Sequence, residues 1–122
     1  MLHSAPVNFG TWYQLLEAPS AAPTAPGVVQ ARAEKPLPYP RGKSAMVFYG
    51  ATAADEDLRG YVTGRGAAEL RQADAAGARF VRFGVTDRPQ PELERLLGQF
   101  SARFGALPCA NAGASAGTSH VG

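Results

Sequence analysis

The chain is 122 residues long with 45% hydrophobic and 18% charged residues, the balance of one soluble globular domain able to bury a core. Its single cysteine, Cys109, excludes an internal disulfide and a zinc site built on several thiolates, and no run approaches the roughly 18 apolar residues of a membrane span. Net charge is only +2 at a pI of about 9.0, yet ten of the twelve basic residues are arginine, which suits planar contact with phosphate or carboxylate and equally fits a coding bias towards Ala, Gly, Arg and Pro.

Residues 1–10 carry little pattern and read as loose. They lack the basic and apolar regions of a signal peptide, so a cytoplasmic protein is the expectation. Thr11 is placed to cap a short helix carrying Trp12, Leu15 and Leu16 on one side, with Trp12 packed on a sheet rather than on a base. Pro19 to Pro26 is a proline- and alanine-rich linker that cannot be helical throughout. Gly27 to Arg32 alternates well enough for a first strand. Pro36 to Lys43 reads as an extended loop stiffened by three prolines, and its length makes it a candidate binding element.

Ser44 to Gly50 is uncharged and strand-favouring, and suits a strand buried on both faces. Periodicity alone leaves a buried helical turn open; brevity and the terminal glycine favour the strand. Paired antiparallel with the first strand, it is the expected centre of the fold. Thr52 or Asp55 caps the next helix, with Asp55, Glu56 and Asp57 near its positive end. Leu58, Tyr61 and Val62 line its inner face. A break near Gly64 separates a second piece over Ala67 to Ala75, ended by Gly77.

Ala78 to Val85 is the third strand, with Phe80 and Arg82 on one face and Arg79, Val81 and Phe83 on the other. Pro89 and Pro91 introduce the clearest helix. Leu93, Leu96, Leu97, Phe100 and Phe104 form its core stripe, Glu92 and Glu94 occupy its first turn, and Gly105 and Pro108 stop it. After Asn111 the tail of Ala, Gly, Ser and Thr reads as disordered. The expected fold is a small α/β (α+β) layer of three mostly antiparallel strands flanked by helices. It is preceded by a helix and linker over residues 1–26 and followed by a tail over 112–122.

No Ser-His-Asp, Cys-His or paired-carboxylate pattern appears, and His3 and His120 sit in the tails. Gly64-Arg65-Gly66 lacks the Lys-Ser/Thr ending of a phosphate loop. What remains is an order: Gly27-Val28-Val29, Phe48-Tyr49-Gly50, Asp57-Leu58-Arg59, Glu94-Arg95-Leu96-Leu97, then Leu107-Pro108 with Asn111. In this order the stretch from Gly27 to Asn111 resembles the GIY-YIG nuclease family. There, two short strands carry the name motifs, an arginine lies on the next helix, a metal-binding glutamate on a later helix, and an asparagine near the end.

The resemblance implies a GIY-YIG-like domain over residues 27–111 that acts on nucleic acid, DNA more than RNA, by metal-dependent phosphodiester hydrolysis. It implies a catalytic set of Arg59 on the phosphate, Glu94 on Mg²⁺ or Mn²⁺, and Asn111 in support. Arg41 and Lys43 read as backbone contacts beside Arg59, with Tyr39 as a stacking ring, or as charges that keep the loop soluble. Val29 and Phe48 stand where both motif tyrosines would be, and neither can hydrogen-bond a water or a phosphate. Tyr49 points to the opposite face from Phe48. The activity implied is therefore either a reduced endonuclease or a non-catalytic nucleic-acid-binding or protein-interaction module with the same fold. Arg59 reads equally as a solvated helix arginine. Glu92 and Glu94 read equally as complements to the helix dipole, worth about 0.3–1 kcal/mol, and Asn111 as a simple cap.

Overall fold

Residues 7–112 are described by the structure, a computed structural model. In chain order they form β1 (Tyr13–Gln14), a 3-10 turn (Leu15–Glu17), α1 (Ala18–Ala21), β2 (Gly27–Tyr39), β3 (Gly42–Ala51), α2 (Leu58–Thr63), α3 (Ala67–Ala75), β4 (Ala78–Val85) and α4 (Pro89–Phe104). Residues 109–112 make a further helical turn. The strands build one antiparallel sheet in the order β1-β4-β2-β3. The class is the expected mixture of helices and antiparallel strands, with four strands rather than three.

The additional strand replaces the expected helix over Trp12 to Leu16. Tyr13 and Gln14 pair with Val81 and Phe80, and Leu16 is left 93% exposed. The sheet's centre also differs from the expectation. β2 has neighbours on both sides, whereas the Ser44–Gly50 run lies in β3 at an edge. The prolines explain the misreading of the loop. Beyond Ala33, β2 no longer pairs with β4, and it continues with β3 as a two-stranded ribbon in which Leu37, Pro38 and Tyr39 face Ser44, Lys43 and Gly42. Pro36 and Pro38 lie two residues apart in β2, an alternation that puts both missing N–H groups on one side, the side a strand can leave unpaired, and Pro40 falls in the turn. Gly42 takes φ +102°, the left-handed position that closes a short hairpin loop.

Alternation sorts the two sheet faces. Val29, Ala31, Val47, Phe48, Val81 and Phe83 meet Leu58, Tyr61 and Val62 of α2, Leu70 and Ala73 of α3, and Ala18 and Ala22 in one apolar core. Each fully buried side chain of the larger kind stabilises by about 1.5–3 kcal/mol. The opposite face carries Val28, Gln30, Arg32, Tyr49, Phe80 and Arg82, and α4 covers part of it through Phe100, edge-on to Tyr49 and Tyr39.

The helix ends follow local chemistry. Asp57, rather than Thr52 or Asp55, caps α2 by accepting the Gly60 N–H at 2.7 Å. Thr52 is wholly buried instead, where its hydroxyl accepts the Gly27 N–H at 3.1 Å. The break between α2 and α3 falls at Gly64, as expected. α4 begins on Pro89 and ends at Gly105 with φ +82°. Of its expected core stripe only Phe100 is fully buried; Leu93, Leu96, Leu97 and Phe104 are half-buried, and Glu92 is buried in their place.

Candidate functional site

Four of the six residues expected to carry chemistry, Arg59, Arg41, Tyr39 and Asn111, are engaged by main-chain groups of the fold itself. Arg59 lies in the first turn of α2, and its guanidinium donates from Nε to the Ala22 carbonyl (3.1 Å) and from an Nη to that of Ser20 (3.1 Å), pinning the chain end of α1. Arg41 does the same for α4: its backbone N–H donates to the Phe104 carbonyl (2.9 Å) and its guanidinium to that of Ala102 (2.7 Å). A cation at a helix C-terminus is favourably placed against the dipole. The Tyr39 hydroxyl donates to the Met46 carbonyl (2.7 Å) and accepts the Cys109 N–H (3.0 Å), while its ring packs on Phe100 and Phe104. Burial pushes its ionisation far above the usual range. Lys43 is exposed near the ribbon tip.

Asn111 is engaged at both ends of its amide. Oδ1 accepts the Tyr49 N–H and Nδ2 donates to the Tyr49 carbonyl, each at 2.9 Å, so the side chain serves edge strand β3 as a surrogate neighbour. Glu94 is an exposed carboxylate on α4. No hydrogen bond or ion pair among the described residues links Arg59, Glu94 and Asn111. Val29 and Phe48 lie in the apolar core at 0% and 3% exposure, on the face packed by α2. Gly27 and Gly50 are required by packing. A Cβ on Gly27 would meet the Gly84 carbonyl and, at 2.8 Å, Leu58; one on Gly50 would meet the Tyr61 hydroxyl and, at 2.9 Å, the Phe48 ring.

Two polar constellations went unanticipated. In the first, the buried Tyr61 hydroxyl donates to Glu69 at 2.5 Å, and Arg65 lies over the Tyr61 ring with its CZ 4.8 Å from the centroid. Arg65 also pairs with Glu56 at 2.7 Å and donates to the Ala51 carbonyl at 2.9 Å. Arg65 holds the Glu56 carboxyl below its usual range, and burial, then Glu69, pushes the Tyr61 phenol far up. This joins the α2–α3 junction to the end of β3, with its phenol buried and protonated.

The second lies on the sheet face opposite the main core. Arg82 sits 4.7 Å from the Phe9 ring centroid and 4.4 Å from that of Trp12; Arg32 sits 4.9 Å from Trp12 and 5.3 Å from Phe80. Both guanidiniums thus lie against the Trp12 ring, with Arg82 also against Phe9 and Arg32 against Phe80. The only signal in the sequence was the alternation that placed Phe80 and Arg82 together. A cleft of about 950 Å³ opens beside this end of the sheet, where the Glu92–Arg95 ion pair, Asp87, Phe83 and Val85 line it.

Among the described residues no three His, Cys, Asp or Glu side chains converge to hold a metal ion. Glu94 is a single exposed carboxylate, and a divalent ion held there would take the rest of its shell from water and substrate oxygens. No helix among the described residues is long and apolar enough to cross a membrane. No family model, curated protein or solved structure matches this chain.

Proposed function

We propose that this is a GIY-YIG-like module that binds nucleic acid, DNA in preference to RNA, and that has reduced or lost the cleavage chemistry. The observation that carries the reading is the β2–β3 ribbon. It runs past the third strand and presents Lys35 and Lys43 exposed, with Arg41 at its tip docked on the last turn of α4, next to the exposed Arg103. Among the described residues none of these four cations forms an ion pair. A stiff basic ribbon of this kind suits phosphate contacts, which set affinity and its dependence on salt. The order of motif-like segments supports the family reading, and the neighbouring positions of Val29 and Gly50 in paired strands agree with it. The burial of Val29 and Phe48 and the backbone contacts of Arg59 and Asn111 weigh against turnover.

The test is fluorescence anisotropy of labelled DNA and RNA oligonucleotides over a salt series, beside plasmid cleavage with Mg²⁺ or Mn²⁺. Binding should weaken steeply with salt, and the Lys35→Glu/Lys43→Glu pair should lose about tenfold or more in affinity together with part of the salt slope. Unchanged affinity in the folded double variant would remove the ribbon from the reading. Metal-dependent cleavage abolished by Glu94→Gln would restore the enzyme.

A further inference from the structure

We propose that Arg32 and Arg82 form a phosphate-binding site, the two guanidiniums being held against the rings of Phe9, Trp12 and Phe80. The ring contacts take up part of both guanidiniums and leave N–H donors for a partner. Those donors are nearly unused. The single hydrogen bond that the two groups make among the described residues runs from Arg82 Nε to Gln30 Oε1 at 2.7 Å, and neither arginine forms an ion pair. Arg32 Nε is buried without a hydrogen-bond partner. Unsatisfied donors of this kind call for a water or an ion, and two adjacent half-buried cations repel each other until an anion joins them. Burial pulls the Arg82 guanidinium below its usual range against the opposing pull of Tyr49, and the like charge of Arg32 adds a smaller push in the same direction as burial.

A tetrahedral oxyanion matches this better than a metal or an apolar ligand. Planar donor forks recognise phosphate oxygens bidentately, and the ring contacts restrict the forks, so less freedom is lost on binding. The site is separate from the ribbon cations and does not rest on the nucleic-acid reading. Its phosphate has two possible sources, a free phosphate compound or the diester of a strand lying across this face.

Trp12, the only tryptophan, lies against both arginines and reports directly on them. The experiment is titration of the full chain with sodium phosphate at fixed ionic strength, with sodium chloride as reference, following Trp12 emission. A saturable change is expected with phosphate only. In Arg82→Gln and Arg32→Gln, checked for folding by circular dichroism, the midpoint should rise at least tenfold; Arg32→Lys, which keeps charge but loses the fork, should fall between. A short oligonucleotide in a parallel titration assigns the source: a response at lower phosphate equivalents than the free ion indicates a diester, and a response to the free ion alone indicates a small phosphate ligand. A folded wild-type chain with no saturable response, or equal midpoints in the folded variants, would overturn the site. Loss of binding on changing Lys35 and Lys43 with the Trp12 response intact would concern the ribbon only.

Discussion

Asn111 holds both backbone polar groups of Tyr49, accepting its N–H and donating to its carbonyl at 2.9 Å each, and so closes an edge strand with one side chain. The neighbouring outward groups of β3 are treated likewise, the Ala51 carbonyl by Arg65 and the Met46 carbonyl by Tyr39. Unpaired edges invite pairing with other chains. Asn111→Asp, nearly the same shape, replaces the donor by an anion beside the Tyr49 carbonyl. It should cost about 1–3 kcal/mol and increase self-association. Thermal melting and light scattering measure the two effects. An unchanged melting temperature would mean that the edge is satisfied some other way.

Arg59 provides a sharper division between architecture and ligand contact. Its guanidinium bonds to the carbonyls of Ser20 and Ala22, so Arg59→Ala should loosen the segment before β2. The side chain is exposed, which limits the loss to about 1 kcal/mol, or roughly 4 °C in melting temperature. Oligonucleotide affinity, measured at one salt concentration below the melt, should move by no more than about twofold. A phosphate-binding arginine would give the reverse pattern.

What could be read from the residues was whatever their own neighbours determine. β4 came out with its bounds because Ala78 to Val85 alternates between turns, and α4 because Pro89, its leucine spacing and Gly105 mark it locally. β1 was illegible because Tyr13 and Gln14 become a strand only by pairing with residues near position 80. The ribbon was hidden by prolines that act as breakers in most contexts and are harmless on an outer edge. The candidate site failed for the same reason as β1. Arg59 and Tyr39 meet partners 37 and 70 residues away, and those partners are main-chain groups, which a sequence pattern does not reveal. The arginine–aromatic cluster joins three separate segments, around positions 9–12, 32 and 80–82, and only its Phe80–Arg82 piece was local enough to show.

Gly27 and Gly50 separate motif from packing. Gly27→Ala places a methyl group against the Gly84 carbonyl and Leu58 Cδ1, and Gly50→Ala places one against Tyr61 and Phe48. The first clash is with backbone of the neighbouring strand β4 and cannot relax by a side-chain rotation. Gly27→Ala should therefore destabilise by about 3 kcal/mol or more and Gly50→Ala by about 1–3 kcal/mol. Urea unfolding gives both values. Loss of nucleic-acid binding in either variant should track the unfolded fraction, since neither glycine is expected to touch a ligand.

Alkaline stability tests the buried phenols together. Burial is the main cause that raises Tyr39, Tyr49 and Tyr61, and Glu69 adds to it at Tyr61; Tyr49 is pushed up to about 12 against the opposing pull of Arg82. The folded values lie above the value of about 10 for an unfolded chain, so the unfolded state releases protons first as pH rises. The stability due to these groups is thus fully present below about pH 10 and is lost as pH climbs through the folded values, for Tyr49 through about 12. Each phenol contributes a slope of up to about 1.4 kcal/mol per pH unit in that window, and three together about 4. Urea midpoints should be level from about pH 8 to 10 and then fall steeply. Tyr49→Phe keeps the ring against Phe100, and removal of its hydroxyl should reduce the fall by about a third. Midpoints that stay level beyond pH 10 would mean that the three hydroxyls ionise as freely in the folded chain as in the unfolded one.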